Sequence, residues 1–409
     1  MPRKTSVPPD AVHGDVDDGY GPVADAFRAN FARGTEIGAA VAVYRNGRKV
    51  VDLWGGYRDG RTRVPWRPDT VVNLYSTSKG ISSLALAVAA SRGLLDYDAR
   101  VADYWPQFAR AGKADITVRQ LLAHQAGLPA LDARLQLSDL ADTQRLSDAL
   151  AAQAPAWPPG TRHGYHAITL GWYESELLRH ADPAGRTLGQ FFADEVAAPL
   201  GLDLHIGLPP QVDRDRVAHL HGWHRAAALL HLGALPPRLV LALLNPFGLT
   251  GRAANIITGI DPMRDFNREE IRTVEIPAAN GIGTADAVAR AYGCAATGGR
   301  ELGLTAATLA ALATPAPTPS GGPRDKVLHV DSAFSLGYCK PVPHFRFGSS
   351  DAAFGTPGLG GSFGFADPDT GTGFAYVMNR MGFHLWSDPR ELAVRQALFG
   401  DALGARAQT

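Results

Sequence analysis

The sequence predicts an α/β (α+β) fold: an antiparallel sheet flanked by helices, carrying an inserted, mostly helical domain. Three observations predict it. β-rich runs lie near both ends of the chain, a long middle stretch reads as helices joined by proline-rich turns, and 409 residues exceed what one compact core usually holds. The simplest packing pairs the N- and C-terminal strands in one antiparallel sheet. Residues 1–100 and 271–409 then form a discontinuous sheet domain, and residues 101–270 the helical insert. A pocket is expected at the seam between the two.

The elements follow in chain order. Residues 23–32 have the spacing of an amphipathic helix. Residues 37–44 and 49–54 are β-rich, and Asn46-Gly47 between them is a strong hairpin signal. Residues 78–92 predict a helix, with Ile81, Leu84 and Val88 near a 3.6 period and Gly93 as its stop. The middle of the chain is helical with proline-rich turns. Its most apolar stretch, residues 226–249, contains Pro236, Pro237 and Arg238, which argue against a membrane span and for a buried helical hairpin or pocket wall. Asn280 marks a turn that could touch the pocket, before a helix over residues 283–298. Strands are expected at 335–338, 361–366 and 373–378, the last after the turn Asp367-Pro368-Asp369-Thr370-Gly371, and a closing helix at 388–400.

Composition narrows the function classes. Hydrophobic residues make up 45% and charged residues 20%, with a formal net charge of +0, so no nucleic-acid or polybasic membrane surface is expected. Cys294 and Cys339 are too few for a disulfide scaffold or a four-thiolate zinc site. The first residues include basic ones but no apolar core, so the expectation is a cytoplasmic protein rather than an exported cell-wall enzyme. A small-molecule substrate is expected, with no membrane or nucleic-acid partner, no metal and no organic cofactor. The sequence says nothing of oligomeric state.

The chemistry starts at Asn73-Leu74-Tyr75-Ser76-Thr77-Ser78-Lys79-Gly80. Residues three apart on a helix share a face, so Lys79 can reach Ser76 Oγ. A serine hydroxyl is a weak nucleophile until a neighbouring base takes its proton, and a helix N-terminus favours the negative charge that develops. Among Lys4, Lys49, Lys79, Lys113, Lys326 and Lys340, Lys79 alone has serine three residues before it. The bland alternative is an N-cap serine beside a solvated lysine.

This octapeptide resembles the Ser-x-x-Lys nucleophile motif of serine β-lactamases and penicillin-binding proteins. Leu121-Leu122-Ala123-His124-Gln125-Ala126-Gly127-Leu128 resembles a second segment of that superfamily, and Gly164-Tyr165-His166-Ala167 its tyrosine segment. Thr356-Pro357-Gly358 stands where its third motif belongs, on a strand near the C-terminus. Order and spacing agree over roughly residues 20–400, and Tyr-His-Ala followed by Gly171-Trp172 is similar to family VIII carboxylesterases of the class C-like branch. The resemblance implies a serine β-lactamase-like fold, Ser76 as acylated nucleophile, and Lys79 and Tyr165 as its proton-handling partners. It also implies an oxyanion hole from the N–H groups of Ser76 and Leu359, with Gly358, Thr356 and His166 lining the substrate site. Two positions depart from the β-lactamase pattern: Ala167 replaces a usual Asn, and Thr356 a usual Lys or His. Both changes remove groups that hold a β-lactam or peptide carboxylate and favour a carboxylic ester. An acyltransferase, a β-lactamase or D-amino-acid peptidase, and a non-catalytic binding protein on the same fold are the alternatives.

Competing motifs are weaker. Gly360-Gly361-Ser362-Phe363-Gly364 fits Gly-x-Ser-x-Gly, with Asp367 and His384 following, but the run reads as a strand end without the helix that a nucleophile elbow requires. His219-Leu220-His221-Gly222-Trp223-His224 resembles a dinuclear zinc motif with Trp223 in the place of its Asp. His163 and His166 flank Tyr165 and could act as bases, although pocket lining is the plainer role, and His124 reads as structural. Trp54, Trp157 and Trp172 read as core.

Overall fold

The computed structural model describes residues 7, 8, 11–223 and 229–405. Among the described residues, ten strands form two antiparallel sheets: β1 (Val12–Val16), β2 (Gly38–Arg45), β3 (Arg48–Asp59), β4 (Val64–Pro65), β5 (Val72–Asn73), β6 (Leu204–Ile206), β7 (Gly281–Gly283), β8 (Phe354–Pro357), β9 (Phe363–Asp367) and β10 (Thr372–Met378). The large sheet runs β1-β3-β2-β10-β9-β8, with β4 on β3, so N- and C-terminal strands meet where β2 pairs β10 at Val41↔Tyr376. The hairpin β2–β3 turns at Asn46 and Gly47, both at positive φ (50° and 77°), as its tight turn demands. The small sheet, β5-β7-β6, is built from three distant parts of the chain and lies under the start of the central helix.

Five helices matter for the site: α1 (Gly21–Ala32), α2 (Thr77–Ser91), α3 (Thr169–Ala181), α4 (Ala285–Ala296) and α5 (Pro389–Gln396). Side chains alternate along β10. Tyr376 meets Phe27 of α1, with ring centroids 6.1 Å apart, while a side chain on Gly373 would strike Gly293 of α4. Helices therefore cover both faces of the sheet. α2 is buried from Thr77 to Ala89, and one apolar cluster joins Phe27, Leu84, Trp172, Val288 and Phe399. No helix among the described residues is long and apolar enough to cross a membrane.

Two expected elements differ. Residues 335–338 are a bend rather than a strand, closed by the bridge between Phe334 and Cys339. Gly337 sits at φ 85°, donates its N–H to Leu122 O and presses on Ser83 of α2, where any side chain would collide. The stretch 226–249 is not a buried hairpin. Residues 226–228 lie outside the described residues. The helix Pro237–Leu243 buries Leu239 but leaves Leu241 and Leu243 exposed, and Leu244 and Phe247 follow them into solvent.

Candidate active site

The short strand β5 delivers the chain to the start of α2 through Leu74 and Tyr75. Leu74 N donates to Gly281 O at 2.8 Å, and Ser78 Oγ accepts from Gly281 N, so β7 fixes this turn from both sides. Tyr75 holds φ at 48°, a left-handed conformation that costs a bulky residue about 1–2 kcal/mol. Its hydroxyl donates to Pro262 O at 2.7 Å and its ring lies 5.2 Å from Phe266, contacts that hold the conformation in place. The turn leaves Ser76 as the one residue of 71–80 that is not fully buried. Gly80 lets α2 approach α4, since a side chain there would meet the Tyr292 hydroxyl.

Lys79 is completely buried. Its Nζ lies 3.0 Å from Ser76 Oγ and donates to Ala167 O at 2.6 Å and Ala278 O at 3.0 Å. Burial pushes its amine down to about 7, against the opposing pull of the Glu174 carboxylate. A neutral amine has two N–H groups and one lone pair. The two carbonyls take both N–H groups, so the lone pair is left for the proton of Ser76. Glu174, on α3, accepts from Ser83 Oγ at 2.9 Å, and burial pushes its carboxyl up to about 8.

Tyr165 lies beside Lys79. It lines the cleft together with Ser76, and its ring lies 4.9 Å from Lys79 Nζ. His124 and Phe334 flank the ring at 4.9 and 6.2 Å. Burial raises the phenol well above its ordinary range, so Tyr165 keeps its proton at rest.

The β8–β9 connection closes the site. Gly358 lies against Leu74 O and Thr77 Oγ1 so tightly that a side chain would clash with both. The next residue, Leu359, lines the cleft beside Ser76. Among the described residues no acceptor takes the N–H of Ser76 or of Leu359. Arg390 of α5 clamps this connection by donating to Gly360 O at 2.6 Å, and is itself held by Glu36 at 3.1 Å and Asp388 at 2.8 Å, all buried.

The cleft is walled by Leu328, Val330, Phe334, Val342, Phe345, Leu385 and Trp386, among others. Lys340 also reaches it, but its Nζ donates to Ala313 O and Ala352 O. Cys339 contributes a thiol that burial pushes up to about 12.

The structure thus brings Ser76, Lys79, Tyr165 and Leu359 together. Two other expected substrate contacts are corrected. Thr356 is buried with its side chain toward Tyr292 of α4, because alternation along β8 gives the cleft to Pro357 instead. His166 is fully buried, with Nε2 accepting from Leu128 N at 3.0 Å and Nδ1 2.6 Å from Gly164 O. It braces the tyrosine loop. His163 and His124 are buried as well, and burial lowers all three imidazoles, His163 to about 4 and His166 to about 3. Asn280 is buried and bonds only backbone, namely Ile276 N, Ile271 O and Val274 O, with no reach to the cleft. Of the tryptophans, Trp172 is core, whereas Trp54 and Trp157 are half-buried.

Among the described residues, neither rival motif assembles. Ser362 is buried, donates to Leu74 O at 2.8 Å and is followed by β9 rather than a helix. Asp367 instead accepts from Ser349 and Thr370. His221 Nε2 accepts from Gly60 N at 3.0 Å, and His224 lies outside the described residues. Sequence reasoning missed the cleft walls at 328–345 and 385–386, along with Glu174 and Arg390. The scarcity of lysine was the one signal that could have singled out Lys340.

Residues 23–398 match the family model described as Beta-lactamase. The chain belongs to the beta-lactamase family. Among its relatives within this family, the Mycobacterium tuberculosis protein named Esterase/beta-lactamase LipL is 37% identical over 380 residues, 91% of this chain and 85% of the relative. The crystal structure of a family VIII carboxylesterase superposes with a TM-score of 0.81 at 37% identity, over 94% of this chain and 98% of that one. EstA from Arthrobacter nitroguajacolicus Rue61a gives 0.80 at 32% identity, over 94% and 98%. The beta-lactamase fold is therefore shared along nearly the whole chain.

Proposed function

We propose that this protein is a serine carboxylesterase that cleaves neutral, apolar esters through an acyl-enzyme on Ser76. The observation that carries the reading is Lys79 Nζ, which lies 3.0 Å from Ser76 Oγ and donates to Ala167 O and Ala278 O, so that the neutral amine has its lone pair left for the serine proton. Lys79 takes the Ser76 proton as Oγ attacks the ester carbonyl. The N–H groups of Ser76 and Leu359 stabilise the oxyanion. Tyr165, between Lys79 and the leaving oxygen, passes a proton to the departing alcohol, and the same pair then activates water for deacylation.

The cleft supports the substrate class. Its walls are mostly apolar, and its lysine, Lys340, is occupied by two carbonyls, so among the described lining residues no lysine or arginine is left free for a substrate carboxylate. The names of the relatives, an esterase/beta-lactamase and a family VIII carboxylesterase, point the same way.

Hydrolysis of p-nitrophenyl butyrate by wild type, Ser76→Ala and Ser362→Ala tests the reading. Ser76→Ala is expected to lose at least about a thousandfold in kcat/KM and all fluorophosphonate labelling, while Ser362→Ala keeps both. An active Ser76→Ala overturns the assignment. Turnover of nitrocefin faster than of the ester overturns the substrate class, and products that follow an added alcohol rather than water make the enzyme an acyltransferase.

A further inference from the structure

The large hydrophobic side chains that stand exposed among the described residues are Leu241 at 68%, Leu243 at 40%, Leu244 at 72% and Phe247 at 87%. They fall within seven consecutive residues. Scattered exposed leucines need no explanation, but a contiguous apolar ridge does.

The ridge is tied to both walls of the ester cleft. On one side, His231 stacks on Phe383 at 3.8 Å, two residues before the cleft-lining Leu385 and Trp386. On the other, Thr250 donates to Val327 O, next to the cleft-lining Leu328, and Leu249 and Tyr165 pack on the same small cluster. The helix Pro237–Leu243 points Leu239 inward as an anchor and Leu241 outward.

Charge selects the occupant. From Arg216 to Ile260 the chain has no Asp or Glu, although the whole protein carries as many acidic as basic residues. Arg216, Arg225, Arg238 and Arg252 lie in this stretch; Arg216 pairs with Asp69 and Asp203 and Arg252 with Asp132, while Arg238 is exposed on the ridge helix. An apolar ridge that carries the exposed Arg238 and no acidic residue of its own suits the boundary of an anionic lipid surface, where leucine and phenylalanine enter the acyl region and arginine stays with the headgroups. A symmetric pairing of two copies would set this stretch against itself and offer Arg238 no acidic partner from within it.

We propose that Leu241, Leu243, Leu244 and Phe247 form an interfacial anchor that seats the protein on an anionic lipid surface beside the opening of its ester cleft. Supply of esters from that surface rests on the function proposed above; the anchor itself does not.

The test uses full-length Ser76→Ala protein, so that no vesicle lipid is consumed. Sedimentation with phosphatidylcholine vesicles, with and without phosphatidylglycerol, measures binding. The expected result is pelleting that strengthens with phosphatidylglycerol, weakens with salt and falls by about tenfold or more when Leu241→Ser, Leu244→Ser and Phe247→Ser are combined. The same triple change in active protein leaves hydrolysis of soluble p-nitrophenyl acetate within about twofold, which shows that the variant is folded. Protein that stays in the supernatant, or a triple variant that binds as well as its parent, overturns the proposal. Concentration-dependent dimers abolished by the triple change, without vesicle binding, also overturn it and give the ridge to a second copy. Vesicle binding by a protein inactive on every ester leaves the anchor standing and removes the esterase reading alone.

Discussion

At the scale of single residues, the site depends on which protons are present at neutral pH. Burial lowers Lys79 to about 7 and raises Tyr165, so the resting pair is an amine near its midpoint beside an un-ionised phenol. The neutral amine is the base, and it is lost as pH falls. kcat/KM for p-nitrophenyl butyrate is therefore expected to rise through about pH 7 to a plateau. Burial holds the Glu174 carboxyl at about 8, so it is largely un-ionised where Lys79 titrates, and Glu174→Gln should leave both this limb and the plateau nearly unchanged. A limb moved to lower pH in a pH–rate profile would show instead that Glu174 is ionised beside Lys79. Ser76, Lys79 and Tyr165 were legible in the sequence because their motifs are short and local: three residues on one helical turn fix where Lys79 points. Thr356 and His166 were not legible in the same way. Which face a strand residue presents depends on register, and whether an imidazole lines a cleft depends on what covers it.

At the scale of elements, strands and helices carried by strong periodicity came out close to their expected bounds, the β2–β3 hairpin and α2 above all. The strand β1 escaped notice because five residues at a sheet edge, three half-buried and two exposed, carry little pattern. The bend at 335–338 escaped because what breaks it is contact between Gly337 and α2, which no local pattern contains. The β8–β9 connection is likewise set from a distance, by Arg390 of α5. Replacing Arg390 with Met strands Glu36 and Asp388 without their cation. The expected cost is about 3–5 kcal/mol in denaturant unfolding, with a lower kcat from protein that remains folded. If kcat per folded molecule is unchanged, the hold on Gly360 O does not serve the oxyanion site.

At the scale of the whole molecule, the two-part division at residues 100 and 270 meets a core that does not divide. β6, from the middle of the chain, pairs with β7, and one apolar cluster joins Phe27, Trp172 and Phe399. The expectation is a single cooperative transition in calorimetry, and no folded state by circular dichroism for residues 101–270 expressed alone. Two resolved transitions would restore independent domains. The same burial governs the chain's sulfur chemistry. Cys339 stands in the cleft wall and Cys294 inside α4, with thiols held at about 12 and about 11, so at neutral pH neither offers the thiolate that alkylating and oxidising reagents require. An electrophile entering the cleft meets an oxygen nucleophile without competition from sulfur, and an inhibitor built on a thiol-seeking warhead would find nothing there to seize.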